Sequence, residues 1–237
     1  MSAGLKADLH LHTREGDGFI AYDAVALIER AAREGYRVLA ITNHDRLTFS
    51  PRLAGYAADR GIVLVPGVEA TVEGCHVLIY NADVSPARLR TFAELRRLRT
   101  PEWLVVAPHP FFPASFSLGE RLRREIDIFD AIEFSHFYTQ RIDFNAPAVR
   151  LARASGLPLL GSSDAHLHRQ LGTTYSMIDA APDVDSVLAA VRQHRVGVVS
   201  RPLSLMALLA TGLELTAREA WSRLSGRRRA SVLAPAG

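Results

Sequence analysis

Lysine and cysteine are almost absent from this chain: Lys6 is the only lysine and Cys75 the only cysteine. A lone cysteine excludes an internal disulfide and fits a reducing compartment. Long apolar runs are missing too. The longest candidate, SLMALLATGLEL at 204–215, falls short of the ~18 residues a membrane helix needs. The first residues show no charged-then-apolar secretory pattern. Together these point to a cytoplasmic protein with no membrane partner. Charge imbalance is small as well: a net +3 suits anionic small molecules and is too little to argue for nucleic acid by itself. There is no Gly/Ser linker, no low-complexity block and no internal repeat. A chain of 237 residues therefore reads as one domain, long enough to bury its core without cross-links.

What is present is an alternation. Strand candidates lie at Leu5–Leu11, Val38–Thr42, Ile62–Val65, His76–Tyr80, Leu104–Ala107, Ala131–Phe134, Leu159–Gly161 and Val196–Val199. Amphipathic segments fall between several of them, at Ala24–Glu34, Pro86–Arg99, Pro147–Ser155 and Val184–Gln193, with Asp183 as a cap and Gly35 and Gly156 as stops. This order predicts β/α units around a parallel sheet. Residues 201–225 read as one more helical region packed on the outside, and GRRRASVLAPAG as a fraying basic tail.

The polar residues with ligand chemistry fall at the ends of the strands. His10 and His12 close the first, in ADLHLHT, with Asp8 two residues earlier. His44 follows in AITNHD, Glu69 in VPGVEAT, His109 in VVAPHP, His136 in IEFSHF, and Asp164 and His166 in GSSDAH. Alternate residues of a strand share a face, which predicts that Asp8, His10 and His12 point together. In a parallel barrel all these ends open on one rim, where active sites assemble. Imidazoles and carboxylates are ligands for divalent transition metals. A set of them around one carboxylate suits phosphoester hydrolysis, in which metals activate water and neutralise phosphoryl oxygens. One strand-end histidine would usually be structural; the whole set at successive strand ends is hard to explain by packing.

Taken in order, DLHLHT, GDG, ITNHD, GVEAT, APHP and GSSDAH resemble the polymerase and histidinol phosphatase (PHP) family of metal-dependent phosphoesterases, over about residues 6–200. The resemblance implies an α/β fold, a distorted (β/α)7 TIM-like barrel as a single domain, with residues 1–200 as the barrel and 201–237 as a helical extension and tail. It implies two to three divalent ions (Mn, Fe or Zn). By motif, His10, His12 and Asp164 would hold the first, Glu69 would bridge to a second held by His109, and Asp17, His44 and His166 would hold a third. His136 falls near the remaining ligand position of the second ion. Gly16 stands where the family often has Ser, and Asp17 where some members have His, which bears on the third ion.

The implied reaction is hydrolysis of a phosphomonoester of a small metabolite or nucleotide by a metal-bound hydroxide, with Asp164 or His166 passing a proton to the leaving oxygen. Arg14 and Arg46, in the loops after the first two ligand motifs, read equally as phosphate-binding or as plain surface arginines. Asp8 is expected to orient a ligand histidine, and His76 to support the site or pack beside it. Phe111, Phe112, Phe116, Phe137 and Tyr138 read as a pocket wall or as rim packing. The rivals are a phosphodiesterase or 5′-end nuclease on short nucleic acid, and a barrel whose metals only stabilise a fold. An amidohydrolase would need a metal-bridging lysine in mid-chain, which Lys6 is not.

Overall fold

The computed structural model describes residues 4–224. The expected basic tail lies outside them. Nine strands form one sheet: β1 Leu5–Leu11, β2 Val38–Ile41, β3 Val63–Val72, β4 Cys75–Tyr80, β5 Leu104–Ala107, β6 Ala131–Ser135, β7 Leu159–Ser162, β8 Thr174–Ile178 and β9 Val196–Ser200. The helices are α1 Ala24–Arg33, α2 Pro51–Ala58, α3 Phe92–Leu98, α4 Arg121–Arg124, α5 Asn145–Ser155, α6 Val184–Arg192 and α7 Leu205–Leu224. Local chemistry sets their limits. The Asp23 side chain accepts the Ala26 N–H at the start of α1, Asp183 accepts the Ser186 N–H at the start of α6, and Gly156 ends α5 in the left-handed region. The single helix expected over Pro86–Arg99 is broken, because Thr91 and Glu94 form a reciprocal capping box that starts α3 afresh.

The strand order is β7-β6-β5-β4-β3-β2-β1-β8-β9. Neighbours β1–β2, β2–β3, β5–β6 and β6–β7 are parallel, as the β/α alternation predicts. The sheet as a whole is mixed, since β4 runs antiparallel to both β3 and β5, and β8 and β9 form an antiparallel extension on β1. It curls into a nearly closed barrel. Ala165, just past β7, pairs with Leu11 of β1, and its carbonyl accepts the His12 N–H at 3.2 Å. One apolar cluster draws residues from β1 through β8 and fills the interior. Val187, Leu188, Ala190 and Val191 of α6 plug the end where the parallel strands begin. The opposite end is left for polar residues.

Two details tune this frame. Between the pairs Asp8–Leu39 and Leu11–Ile41, β1 has one residue more than β2, so Leu9 and His10 both lie opposite Ala40. This is a β-bulge, and strict alternation does not run through it. The second is Gly161, where β7 meets β8 and β9. A Cβ there would sit 2.7 Å from the Tyr175 carbonyl oxygen and 2.9 Å from a Val198 methyl. We expect Gly161→Ala to destabilise the fold by about 1–3 kcal/mol, the usual cost of overpacking, read as a lowered midpoint in urea denaturation. An unchanged midpoint would mean that the seam yields easily.

Candidate metal centre and its cavity

The open rim collects side chains from seven places in the sequence. Glu69 is the hub. Its Oε2 lies 3.3 Å from His10 Nε2, 3.2 Å from His12 Nε2 and 3.1 Å from His44 Nε2. Its Oε1 lies 2.8 Å from His76 Nδ1 and 3.1 Å from His109 Nε2. Asp164 Oδ1 comes within 3.4 Å of His10 Nε2 and 3.2 Å of His12 Nε2. Asp17 sits on the far side of His12 and His44, its carboxylate 3.1 Å and 3.0 Å from their Nδ1 atoms. His166 stacks on His12, with ring centres 4.1 Å apart.

Several of these atoms face one another at close range without making hydrogen bonds. His10 Nε2, His12 Nε2, Glu69 Oε2 and Asp164 Oδ1 are all buried and unpartnered. Buried polar atoms are normally satisfied, so orphans gathered at one point need a shared partner. Spacings of 3.2–3.4 Å among them match lone pairs turned toward a common centre, as around an ion about 2.0–2.2 Å from each ligand. Four groups have this character: His12, Asp17, His44 and His166; His10, His12 and Glu69; His10, His109 and Asp164; and His44, Glu69 and His76.

The electrostatics agree with a cation-shaped gap. Burial pushes the His10 imidazole down, but Asp164, Glu133 and Glu69 outweigh it and hold the group well above its ordinary range. His12 is raised likewise, against its own burial, by Asp164, Asp17 and Glu69. Burial raises the Glu69 carboxyl, yet the surrounding histidines hold it well below the usual carboxylate range. Raised imidazoles beside lowered carboxylates favour positive charge at this point, and a divalent ion would supply it in place of protons. His166 differs: burial pushes it down to about 4. Its Nδ1 donates to the Asp164 carbonyl at 3.0 Å, which leaves a lone pair on Nε2.

His76 enters this cluster as a direct neighbour of Glu69, a closer position than the supporting one expected for it. The reason is strand direction: β4 runs backward, so its beginning, and not its end, lies on the rim. Glu133 was not expected at all. It is fully buried in β6, accepts from His10 Nδ1 at 2.8 Å and takes the His109 backbone N–H at 2.6 Å. One carboxylate thus fixes the tautomer of one histidine and the backbone of another, whose φ of 26° lies in the left-handed region. Its only sequence signal is a charged residue inside an otherwise apolar strand.

Three expected site residues have surroundings that differ from those expected of them. Asp8 does not reach a ligand ring. The bulge takes it out of step with His10, and its carboxylate accepts the backbone N–H groups of His10 and Ser163; burial raises its pKa to about 7. His136 lines the cavity but is in none of the ligand groups: Gln170 Nε2 donates to its Nε2 at 2.9 Å, its Nδ1 has no partner, and burial pushes it down to about 4. Arg14 and Arg46 do not line the cavity, and Arg14 pairs with Asp23 at the start of α1. Gly16, by contrast, has a physical reason. A Cβ there would fall 2.2 Å from Asn43 Cβ, and the Asn43 side chain bonds Thr13 and Thr48, clamping the first two rim loops together.

Above the ligand cluster is a cavity of about 430 Å³. Phe112, Phe116 and Phe137 wall one side; the helix α7, expected to pack on the outside, supplies another through Gly212, Leu215, Thr216 and Glu219. Arg169 holds α7 down through Glu214 at 2.5 Å.

Comparison with known proteins adds lineage. A family model described as PHP-associated matches residues 143–196. An uncharacterized protein of Methanocaldococcus jannaschii is 30% identical over 145 residues, 56% of this chain and 83% of that one. A 3′,5′-nucleoside bisphosphate phosphatase of Chromobacterium violaceum is 37% identical over 94 residues, 39% of this chain, and the match spans only 32% of that enzyme. Among solved structures, a two-domain protein from Bacteroides vulgatus containing a predicted PHP-like metal-dependent phosphoesterase superposes with a TM-score of 0.65 at 18% identity, over 89% of this chain and 69% of that one. Among the described residues no helix is long and apolar enough to cross a membrane.

Proposed function

This chain belongs to the PHP family, and from that premise we propose that it is a metal-dependent hydrolase of phosphomonoesters of small metabolites or nucleotides. The observation that carries this reading is the set of buried, unpartnered atoms of His10, His12, Glu69 and Asp164 turned toward one another at the barrel rim. His10, His12, Glu69 and Asp164 would hold one ion, Glu69 with His76 and His109 a second, and Asp17, His44 and His166 a third. When bound, such ions (Mn, Fe or Zn) lower the pKa of water toward neutrality and neutralise phosphoryl oxygens.

The chain's own residues do the rest. Glu133 orients the His10 ring, Asp17 orients the rings of His12 and His44, and the walls of the cavity exclude bulk water from the phosphate. Asp164 and His166 both border the cavity, and whichever of the two the ions leave free would pass a proton to the leaving oxygen. The size of the cavity lies within the roughly 300–1,000 Å³ of small-molecule sites. Neither arginine nor lysine is among its described lining residues. A nuclease working on a long strand would need a cationic track, so the monoester reading is preferred over a nuclease.

The test is reconstitution. Protein stripped with a chelator should lose turnover of p-nitrophenyl phosphate and of nucleoside monophosphates, and regain it with at least one of Mn, Fe or Zn. A His10→Ala, His12→Ala double variant should stay inactive under all three. Metal-replete protein that turns over no phosphoester would favour a purely structural role for the ions.

A further inference from the structure

Helix α7 is apolar on two faces. The inner face closes the cavity through Gly212 and Leu215. The outer face carries Met206, Ala210, Leu213, Ala217, Ala220 and Leu224, and all six are exposed. They follow one another at steps of 4, 3, 4, 3 and 4 residues, the spacing of an unbroken heptad seam. Leu209 and Trp221 flank the seam, 58% and 69% exposed. Of the ten exposed large apolar residues in the described chain, six lie on this one helix. That is a contiguous patch and not the scatter of single apolar residues normal to a surface. A helix apolar on both sides is one that is covered on both sides.

The order of residues along the seam says what covers it. Reversed end to end about position 215, the seam meets itself: Met206 falls opposite Leu224, Ala210 opposite Ala220, and Leu213 opposite Ala217. Large residues at the ends meet each other, and the leucine at the centre meets a small residue. Leu209 and Trp221 exchange places under the same reversal. A two-fold axis imposes this self-match on an interface between identical chains. Charge agrees. Glu214 and Arg218 pair along one edge of the seam at 2.8 Å. A two-fold sets like edges side by side in opposite directions, so the acid of each copy comes alongside the base of the other. The helix carries two glutamates and two arginines, no net charge, whereas helices that lie on membranes have a Lys/Arg-rich polar face. Covering this face on two copies removes on the order of 1,200 Å² from water, where specific interfaces begin.

We propose that the outer face of α7 is the contact between two copies of this chain, which pair their α7 helices antiparallel about residue 215. Each α7 then lies between its own barrel and the other copy's helix.

The test is sedimentation equilibrium of the full chain across a wide range of concentration. Wild type should reach twice the mass of one chain. Leu213→Glu should weaken the pair by about thirtyfold or more, the scale of a central hot spot, with an unchanged circular dichroism spectrum. Leu213→Lys should do the same, and an equal mixture of the two variants should pair again. Direction is read by cysteine cross-linking, in which the native Cys75 is buried. A mixture of Leu213→Cys and Ala217→Cys chains should cross-link. Met206→Cys alone should not, because its two copies would stand about 27 Å apart at 1.5 Å per residue. A wild-type monomer at every concentration would overturn the proposal, as would a dimer that survives Leu213→Glu or a Met206→Cys cross-link. A monomer that binds vesicles of phosphatidylcholine and phosphatidylglycerol through this face would overturn it in favour of a lipid surface. None of these readings uses turnover, so they stand apart from the phosphomonoesterase reading.

Discussion

Glu69→Gln should reduce kcat/KM on the best phosphomonoester by roughly 10³-fold or more, since losing a metal's contribution of several kcal/mol converts at about 1.4 kcal/mol per factor of ten. The substitution keeps the shape of the side chain and removes its charge. That charge faces His10, His12 and His44 through one oxygen and His76 and His109 through the other. No other side chain in the cluster touches so many of the ligands. The metal content after dialysis should fall along with activity, and excess metal should not restore the rate. The isosteric variant should still fold, because it leaves the residues of the apolar interior unchanged. A variant with full metal content and full activity would remove Glu69 from the centre of the site.

Glu133→Ala should behave differently, and the difference is the point of making both. Glu133 lies behind the ligands, holding the His10 ring and the His109 backbone from β6. Its loss should weaken metal binding by about 10–100-fold, as removal of a ligand's orienting partner typically does. Activity should then return as metal concentration is raised, which should not happen for Glu69→Gln. Glu133→Gln, which can still accept one of the two N–H groups, should fall between wild type and Glu133→Ala. The alanine variant also leaves buried donors unsatisfied, at about 1–3 kcal/mol each, so its denaturation midpoint should drop in the metal-free state. Loss of activity that high metal does not rescue would place Glu133 among the ligands themselves.

Much of this architecture was legible because its signals are local. The β/α alternation follows from strand-sized apolar runs and capped amphipathic helices, and the strand-end histidines stand out against it. What sequence could not show depends on direction and register. Sequence alone gives His76 a supporting or packing place, since strand ends mark the rim of a parallel barrel, whereas β4 is reversed. Alternation puts Asp8 on the ligand face, but the strand carries a bulge that leaves no mark in ADLHLHT. Glu133 sits inside a strand where the apolar pattern hides it. Arg14 follows the HxH pair closely in sequence, yet its loop turns it toward Asp23. The part played by α7 is a matter of long-range packing: its residues carry no metal-ligand motif, and only the fold puts them beside the phenylalanines.

The bulge in β1 also divides the labour of a single strand. Below it, Leu5 to Asp8 keep step with β2 and β8 and serve the body of the barrel. His10 in the bulge and His12 above it take their bearing from the carboxylates at the rim. The extra residue acts as a slip joint between the two. Drift in the packing at the foot of the strand need not rotate the histidines at its head, and the lower half can accumulate substitutions under selection that is largely separate from the selection on the chemistry.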